Sequence, residues 1–404
     1  MSMRPFKRLL HREAALEIID ENIRQVSRIE GIQIHEAVGR VLAADAVAEF
    51  NVPPFDRSSM DGYAVKAEDT FGASAFSPRA LKLIGIQHAG EVFDGEVHKG
   101  ECVQVGTGSP VSKGTDAVVM VEYTELDGET VGIRRPVYPG ENISPEGEDI
   151  KTGDVVVKGG EALNPAKVGA LAALNKEVVE VLEKPRIAIF STGSEVKPLG
   201  KELKPGQIYD INSYTLASVI SKNGCVPVRE GIVPDERGAI EEAVKVAAGY
   251  DMGIFSGGSS VGARDLFADA VESLGKVLFH GLQVKPGKPT LFGVVEGTPI
   301  FGMPGYPTSC LSNAYVFLAP TIRKLAGLPP LEPRTVRARM GSKVVSSSGR
   351  EQFLTVRLVE GVAYPAFKKS GDITSMANAD GYVVLPVNLD VIDEGEEVTV
   401  TLLG

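Results

Sequence analysis

The sequence predicts a multidomain protein in which a central α/β domain lies between two β-rich regions of the chain. At 404 residues the chain exceeds what one hydrophobic core normally holds. From residue 184 to residue 325, short apolar runs alternate with segments of helical periodicity, which is typical of a mostly parallel sheet covered by helices on both faces. Residues 51–142 and 334–404 instead carry short β-type runs separated by turn residues, which indicate two β domains.

The N-terminal part of the chain carries helical patterns. Apolar residues at helical spacing between Ala15 and Val26 predict a helix over residues 12–30, and a shorter helix is expected over residues 35–44. A third helical segment, Pro165–Leu174, is expected to pack against these two, so that the β region between them is an insertion. The predicted domains are a helical linker at 1–48 and 143–184, an inserted β domain at 49–142, an α/β domain at 185–329 and a C-terminal β domain at 330–404.

The elements of the α/β domain follow from their apolar patterns. Continuous apolar runs predict buried strands, and apolar residues three or four apart predict helices. A proline-rich linker follows Gly327, and the β-type runs beyond it indicate a closed barrel or a sandwich. The expected strands of the α/β domain are 186–190, 226–233, 252–255, 277–279 and 290–295, and its expected helices are 213–222, 239–248, 266–274 and 308–325.

The composition narrows the class of protein. Acidic residues outnumber basic ones by 53 to 42, which gives a net charge of −11. The sequence shows no basic patch of the kind that binds nucleic acid. No stretch approaches the roughly 18 apolar residues of a membrane-spanning helix, and no apolar signal region follows the N-terminus, so we expect a cytoplasmic protein without membrane contact. The three cysteines lie far apart, which argues against a disulfide framework and against a thiolate zinc site.

The segment from Asp251 to Asp265 carries the most informative local motif. A predicted strand ends at Phe255 and is followed by a loop with three glycines in six positions and then by a helix. Glycine lets the backbone approach a ligand closely, and the free N–H groups of a helix start can bind an anion. The alternative is a flexible turn in which Asp265 only caps the helix. The candidate ligand-binding residues of this loop are Ser256, Gly257, Gly258, Ser259 and Ser260.

Two more loops are predicted at the carboxyl ends of strands, where open α/β sheets bind ligands. The first, at 191–195, combines hydroxyls, a glycine and a carboxylate, which suit a phosphate or a metal; the alternative is an ordinary turn between strand and helix. The second, at 301–307, contains two glycines and two prolines that predict a tight turn with exposed backbone. The candidate residues of these two loops are Ser191, Thr192, Gly193, Glu195, Pro304, Gly305 and Pro307.

Two lysines lie on a loop that its prolines make stiff. Lys285 and Lys288 each precede a proline, which restricts the backbone on both sides. The ammonium group of lysine is a compact cation that suits a phosphate or another oxyanion. We therefore expect a fixed positive site in an acidic protein, with a solvated turn as the alternative.

Acidic residues recur in these segments and in one distant segment. Residues 54–65 contain two acids, an arginine and two serines, and predict either a functional loop or a domain-boundary linker. Carboxylates without histidine or cysteine favour Mg²⁺, and Mg²⁺ with two lysines suits the cleavage of a phosphate-containing bond. The residues alone thus indicate a magnesium-dependent enzyme that acts on a phosphorylated or anionic small molecule. The candidate acids are Asp56, Asp61, Glu195, Asp235 and Asp265.

These loops belong to a longer set of motifs in a fixed order. Pro-Pro-Phe-Asp-x-Ser-x-Met-Asp-Gly-Tyr-Ala begins at Pro53, Gly-Thr-Gly-Ser-Pro at Gly106 and Gly-Glu-Asp-Ile at Gly147, and the loops at 191–195, 256–262, 285–289 and 302–307 follow. Over nearly the whole chain this set closely resembles the MoeA family of molybdopterin molybdenumtransferases, which includes the C-terminal domain of gephyrin. Two positions depart from the family pattern, since Arg57 and Tyr306 each stand where asparagine is usual.

The resemblance implies an architecture, an assembly and a reaction. It implies a helical linker element, an inserted β-rich domain, an α/β domain of the molybdopterin-binding type and a C-terminal β-barrel. It implies an elongated homodimer whose active site lies where the α/β domain of one chain meets the inserted domain of the other. The implied reaction inserts molybdenum from molybdate into adenylylated molybdopterin with Mg²⁺ present and releases AMP, in molybdenum cofactor biosynthesis. The preceding adenylyltransferase is a further expected partner.

The resemblance also assigns roles to residues, position by position. Asp61 and Thr107 are expected to come from the partner chain, and the glycine loop is expected to hold the pterin or its phosphate. The expected catalytic residues are Asp61, Thr107, Glu195, Asp235, Asp265, Lys285 and Lys288. The expected ligands of Mg²⁺ or molybdate are Asp61, Asp149, Glu195, Asp235 and Asp265. The expected cofactor-binding residues are Ser191, Thr192, Gly193, Ser256, Gly257, Gly258, Ser259, Ser260, Pro304, Gly305, Pro307 and Ser375.

Two other functions stay open on the sequence. A molybdopterin adenylyltransferase would act one step earlier, on molybdopterin and ATP, but related single-domain enzymes lack the β insertion and the barrel. A non-catalytic scaffold would bind the pterin and a peptide, but it would not need acids such as Asp61 and Asp265. The lysine site does not separate molybdate from tungstate, because the two oxyanions have nearly the same size and charge.

Overall fold

A six-stranded sheet forms the centre of the computed structural model, which describes residues 9–257, 266–346, 349–366 and 371–403. Four neighbouring strands of this central sheet are parallel, and two antiparallel strands extend one edge. The prediction of a mostly parallel sheet is therefore confirmed. In spatial order the strands are Val226–Val233, Arg186–Thr192, Met252–Ser256, Thr298–Met303, Leu291–Val295 and Lys276–His280.

Helices cover both faces of the central sheet. On one face, helix Asn212–Lys222 shares a core with helix Arg12–Asn22 and with the helical segment that ends the α/β region. On the other face, helices Arg237–Ala248 and Leu266–Leu274 contact each other. Strand Arg186–Thr192 supplies apolar side chains to both cores in alternation, which explains why it appears in the sequence as a continuous apolar run.

The helix predicted over residues 308–325 forms, with a change of winding inside it. It consists of α-helix Pro307–Asn313, a π-helical turn at Ala314–Leu318 and α-helix Ala319–Leu325. Pro320 has no N–H for the regular hydrogen-bond ladder, and the wider π turn directly precedes it. The proline thus accounts for the interruption of the α-helix.

Strand Thr298–Met303 corrects the prediction of a loop over residues 301–307. The first three residues of that stretch are buried in the sheet, and the loop begins only at Pro304. A Cβ at Gly302 would lie 2.5 Å from the ring of Phe267 on the covering helix. This glycine therefore serves the close packing of strand against helix and is not a turn residue.

The inserted region forms a second six-stranded sheet, which we call the inserted sheet. It buries apolar side chains on both faces, in one cluster around Val119 and another around Val118. The predicted β-rich character of this region is confirmed, and two short helical turns, Ala67–Thr70 and Val121–Tyr123, interrupt it. In spatial order its strands are Ala117–Met120, Gly62–Val65, Glu101–Val105, Arg79–Gln87, Thr130–Ile133 and Thr124–Asp127.

The C-terminal region forms a closed five-stranded barrel, which decides between the two alternatives left by its sequence. The last strand of the ring pairs again with the first, so the ring has no open edge. Strand Val284–Lys285 of the α/β region adds to the barrel from outside by pairing with Glu351–Val359. In order around the barrel the strands are Glu351–Val359, Val362–Pro365, Thr335–Met340, Glu397–Leu402 and Gly381–Leu385, and one short helix, Thr374–Ala377, lies in this region.

The helix expected over residues 12–30 is shorter than its apolar pattern predicts. It ends at Asn22, and the chain beyond it is extended. Ile23 and Val26, which continue the helical spacing, are buried in the main core, where the Val26 N–H donates to the Leu325 carbonyl oxygen over 2.9 Å. Packing against the last helix therefore overrides the local helical preference.

The prediction of a helix over residues 35–44 is wrong. Only Ile34–Glu36 is helical, as one 3₁₀ turn, and Gly39 has φ of +79°, which a continuing helix does not allow. Helix Pro165–Ala173 packs against this turn and against strand Val155–Val157. This connecting region is consequently a mixture of short helices and short strands.

Short two-stranded sheets accompany the larger sheets. No helix in the described part of the chain is long and apolar enough to cross a bilayer. The strand pairs are Ile29–Gln33 with Val178–Leu182, Ala46–Val47 with Val155–Val157, Arg57–Ser58 with Ile143–Ser144, Val196–Lys197 with Ile208–Tyr209, and Val344–Val345 with Val391–Ile392.

Candidate functional site

The switch point of the central sheet lies between strands Arg186–Thr192 and Met252–Ser256. The next helix after the first strand covers one face of the sheet, and the next helix after the second covers the opposite face. Ser191 and Ser256 are paired in register, and their hydroxyl oxygens are 3.4 Å apart. Open α/β sheets bind ligands in the crevice at the carboxyl ends of such strands. We call this the switch-point crevice.

Gly257 is the first glycine of the predicted glycine loop, and its position requires glycine. Its φ is +93°, and a Cβ there would lie 2.5 Å from the backbone oxygen of Thr192. Its N–H donates to the carbonyl oxygen of Met303 over 3.1 Å. The backbones of three neighbouring strands therefore approach one another at the floor of the crevice. The predicted residues Gly258, Ser259, Ser260 and Asp265 lie outside the described residues.

Two exposed carboxylates, those of Glu195 and Asp235, lie against residues 193–194 beside the crevice. A Cβ at Gly193 would be 2.8 Å from both carboxylate oxygens of Glu195, so this side chain folds back over the glycine. The Ser194 N–H donates to Asp235 Oδ2 over 3.3 Å and brings the second acid to the same loop. Mg²⁺ in proteins is usually held by one or two carboxylates, with water and substrate phosphates as further ligands. Glu195 and Asp235 are therefore acids of the kind that hold Mg²⁺, on one loop of the crevice.

Asp210 is a buried acid that none of the sequence motifs includes. Its side chain is 7% exposed and accepts from Ser191 Oγ over 2.9 Å and from the Ser213 N–H over 3.1 Å. Aspartate commonly accepts such a backbone bond at a helix start, so Asp-x-x-Ser before a helical run is the pattern that could have identified it. Asp210 fixes the hydroxyl of Ser191 at the edge of the crevice.

The loop Pro304–Pro307 approaches the crevice from strand Thr298–Met303, the fourth parallel strand of the central sheet. A Cβ at Gly305 would lie 3.4 Å from the Cα of Gly257. The side-chain amide nitrogen of Asn212 donates to the Gly305 carbonyl oxygen over 2.9 Å. The structure thus brings the predicted residues of this loop next to Ser256 and Gly257, and next to the start of the helix that follows Asp210.

The barrel region also reaches this loop. Tyr306 is 67% exposed and lies beside Gly371, and Thr308 Oγ1 donates to the Asp372 carbonyl oxygen over 3.1 Å. Ser375 lies three residues beyond Asp372 and is 1% exposed. The short helix that contains it, Thr374–Ala377, packs against helix Pro307–Asn313, which follows the loop.

The two predicted lysines lie between the central sheet and the barrel. Lys285 pairs with Gln352 of the barrel in parallel register. Gly287, between the lysines, has φ of +103°, and a Cβ there would overlap the side-chain amide of Asn313. That amide donates to the Gly287 carbonyl oxygen over 2.9 Å. Contacts with the barrel and with the last helix therefore hold the loop of Lys285 and Lys288 in addition to its prolines.

Asp61 and Thr107 meet in the inserted sheet although they are 46 positions apart in the sequence. The N–H and the hydroxyl of Thr107 both donate to Asp61 Oδ1, over 2.6 and 2.8 Å. These bonds, the backbone bond first, lower the pKa of Asp61 below its ordinary value. Both side chains are exposed, so the pair presents a fixed anion on the surface of the inserted region.

The acids predicted as metal ligands do not form a single cluster. Asp149 lies on an exposed turn, where its N–H donates to the Val52 carbonyl oxygen over 3.1 Å. Within the described ranges, no three histidine, cysteine, aspartate or glutamate side chains are grouped as a metal site. The described site acids instead fall into three places: Glu195 with Asp235 beside the crevice, Asp61 on the inserted sheet, and Asp149 on its separate turn.

The cysteine thiols are not candidates for a nucleophile. Burial raises the pKa of Cys102 and of Cys225 to about 12, and it also raises the pKa of Cys310 above its ordinary value. A buried neutral thiol is unreactive. The site therefore offers hydroxyls, backbone N–H groups and two lysines, which bind anions, and two carboxylates, which bind a cation.

Three family models match successive parts of the chain. Residues 10–175 match the MoeA N-terminal region, which comprises domains I and II. Residues 188–324 match a probable molybdopterin binding domain, and residues 337–403 match the MoeA C-terminal region, domain IV. The three matches follow one another in the order of the inserted sheet, the central sheet and the barrel.

Whole proteins also match over nearly the full chain. A putative molybdopterin biosynthesis protein of Methanocaldococcus jannaschii is 33% identical over 401 residues, which is 97% of this chain and 95% of the relative. A molybdopterin molybdenumtransferase of Nostoc is 34% identical over 387 residues, 93% of this chain and 88% of the relative. A crystal structure of the MoeA protein of Pyrococcus horikoshii is 40% identical and covers 98% of this chain and 100% of its own, with a TM-score of 0.86. The chain belongs to the MoeA family.

Proposed function

We propose that this protein is a molybdopterin molybdenumtransferase, which inserts molybdenum from molybdate into adenylylated molybdopterin and releases AMP in the presence of Mg²⁺. The observation that carries the proposal is the meeting of three polar loops at the switch-point crevice. Curated relatives from Nostoc and Staphylococcus aureus carry this enzyme name. A site without a nucleophilic thiol suits a reaction in which positioning and charge neutralisation lower the barrier.

Lys285 and Lys288 are the groups that neutralise the negative charge of molybdate and phosphate. The chain has a net charge of −11, so an anionic substrate needs local positive charge against the overall field. Charges that are fixed before the substrate binds need little rearrangement during the reaction and are therefore effective. The hydrogen bond from Asn313 to Gly287, between the lysines, supports such a fixed arrangement.

Glu195 and Asp235 are the residues that would hold Mg²⁺. Bound there, the ion supplies charge neutralisation at phosphate oxygens. The N–H of Ser194 orients Asp235, and the absence of a side chain at Gly193 leaves space for the carboxylate of Glu195. Both acids are exposed, so solvent and substrate oxygens can complete the coordination.

We further propose a homodimer in which Asp61 and Thr107 of one chain complete the crevice of the other. The proposal is supported by the place of this pair, which lies on a sheet separate from the central sheet, and by the two donors that keep Asp61 ionised. An enzyme that transfers the adenylyl group of ATP to molybdopterin must supply the substrate, and this adenylyltransferase is the expected partner.

The test is an AMP-release assay with purified protein, adenylylated molybdopterin, molybdate and Mg²⁺. Wild-type protein should release AMP, and D61A should not. D127A is a matched control, because Asp127 is an exposed acid on the outer strand of the same inserted sheet. Wild-type protein that binds the substrate but releases no AMP would exclude the transferase. ATP consumption with free molybdopterin would instead identify an adenylyltransferase, and binding without either reaction would identify a scaffold.

A further inference from the structure

Two buried polar atoms at the start of helix Asn212–Lys222 have no hydrogen-bond partner within the described part of the chain. They are Asn212 Oδ1 and Ser213 Oγ, on residues that are 7% and 3% exposed. Their neighbours are paired, since Asp210 accepts from both Ser191 Oγ and the Ser213 N–H. An unpaired polar atom in the interior costs free energy, so two of them side by side indicate a place where a partner binds.

The other contacts of these two residues place them at the switch-point crevice. The side-chain nitrogen of Asn212 donates to the carbonyl oxygen of Gly305, on the loop that lies against Gly257. The N–H of Ser213 binds Asp210, which also holds Ser191 at the end of its strand. The two unpaired atoms therefore lie between the first and the third loop of the crevice.

The two unpaired atoms, one acceptor and one hydroxyl donor, determine which kind of ligand can bind them. Because the nitrogen of the Asn212 amide donates to Gly305, the remaining oxygen is an acceptor that needs a donor. The oxygens of a fully ionised phosphate or molybdate only accept, so they do not pair with it. The pyrimidine ring of a pterin carries an N–H and an amino group as donors beside a carbonyl acceptor. The hydroxyl of Ser213 can donate to that carbonyl.

We infer that Asn212 and Ser213 recognise the hydrogen-bonding edge of the pterin ring. This inference rests on the proposed function and deepens it, because it separates the two parts of the substrate. The helix start selects the ring, while the lysine loop and the glycine loop hold the charged groups. Asn212 and Ser213 are thus residues that determine specificity for a pterin.

S213A is the first test. The substitution removes a hydroxyl that makes no bond in the described chain, so the thermal midpoint should not fall. The dissociation constant for molybdopterin, measured by anaerobic calorimetry, should rise about tenfold, as expected for the loss of one hydrogen bond. Affinity for AMP should not change. S218A is the matched control, because Ser218 lies on the same helix and its exposed hydroxyl donates to the Tyr214 carbonyl oxygen.

N212A and N212D form a second, matched pair. Both lose the bond to Gly305, but only N212D keeps an acceptor at the position of Oδ1. N212D should therefore bind molybdopterin more tightly than N212A, although both should unfold at a lower temperature than the wild type. The comparison separates the acceptor from the structural bond.

The outcomes distinguish this inference from the function on which it rests. Wild-type protein that neither binds molybdopterin nor releases AMP would overturn both. Wild-type protein that releases AMP, with unchanged molybdopterin affinity in S213A and equal affinities in N212A and N212D, would overturn only the role of the helix start. A buried water molecule would then be the partner of the two atoms.

Discussion

Asn313 donates from its side-chain nitrogen to the Gly287 carbonyl oxygen over 2.9 Å and so ties the last helix to the loop that carries both lysines. The same nitrogen is 2.6 Å from Thr290 Oγ1, and the side chain is fully buried. One amide therefore holds both the middle and the end of the turn between Lys285 and Thr290. A buried amide with two contacts in one turn is important for stability and for the positions of Lys285 and Lys288.

N313A should lower both stability and activity. It leaves the Gly287 carbonyl and the Thr290 hydroxyl with one partner fewer, which should cost about 1–3 kcal/mol in the free energy of unfolding. AMP release should fall by more than the loss of folded protein accounts for, because Lys285 and Lys288 are no longer held in position. N223A is the control, since Asn223 is also buried and donates to Val219 at the end of another helix. Equal loss of activity in both variants would contradict the positioning role.

G257A should disrupt the switch-point crevice. A Cβ there would meet the Thr192 backbone oxygen at 2.5 Å, in addition to the strain of a positive φ. G297A carries the strain alone, because Gly297 has φ of +85° and open space around its Cβ position. G297A should cost about 1–2 kcal/mol, and chemical denaturation should show a clearly larger loss for G257A. Similar losses would show that the strands do not approach as closely as described.

T107V should shift the acid limb of the pH profile to higher pH. The hydroxyl and the N–H of Thr107 lower the pKa of Asp61, and valine removes only the hydroxyl, so the pKa should rise part of the way to its ordinary value. A lowered pKa stabilises the fold above the unfolded value of about 3.9, and that contribution disappears as the pH falls through the folded value. The profile of AMP release measures the shift. T107S, which keeps a hydroxyl, should behave as the wild type.

Mixing two inactive variants should restore activity if the site is shared between chains. D61A lacks the acid of the inserted sheet, and D235A lacks an acid of the crevice. A mixed dimer of these variants has one site with both acids intact. After random exchange, half of the dimers are mixed, so AMP release should reach about a quarter of the wild-type rate. No recovery, with exchange verified by labelled chains, would place both acids in a site of one chain.

The strands and helices of the α/β region could be predicted because each is buried in a regular way. Strands such as Arg186–Thr192 face two cores and appear as unbroken apolar runs. Strand Thr298–Met303 was missed because Gly302 looks like a turn residue, whereas it makes room for Phe267. The first helix is shorter than predicted for a similar reason. Val26 is apolar because it is buried in the main core with Leu325, and not because it belongs to the helix.

The candidate site was only partly predictable. Ser191, Glu195 and Lys285 stand in local motifs, and the structure brings their loops to one end of the central sheet or to its border with the barrel. Asp210 is not among the predicted site residues, because its role depends on a hydrogen bond from Ser191. That residue lies 19 positions earlier in the sequence and in another element. A single sequence does not reveal which polar residues will be buried together.

Strand Val284–Lys285 connects the α/β region to the barrel, although the linker at residues 328–334 suggests that the two regions are separate modules. By sequence the strand belongs to the α/β region, but its hydrogen bonds connect it to Glu351–Val359 of the barrel. Cutting the linker to isolate the α/β region would remove this neighbour and expose an unpaired strand edge, which invites association with other molecules. A graft of the α/β region into another protein would carry Lys285 without the backbone that positions it. The two regions are therefore one unit for expression and for protein engineering.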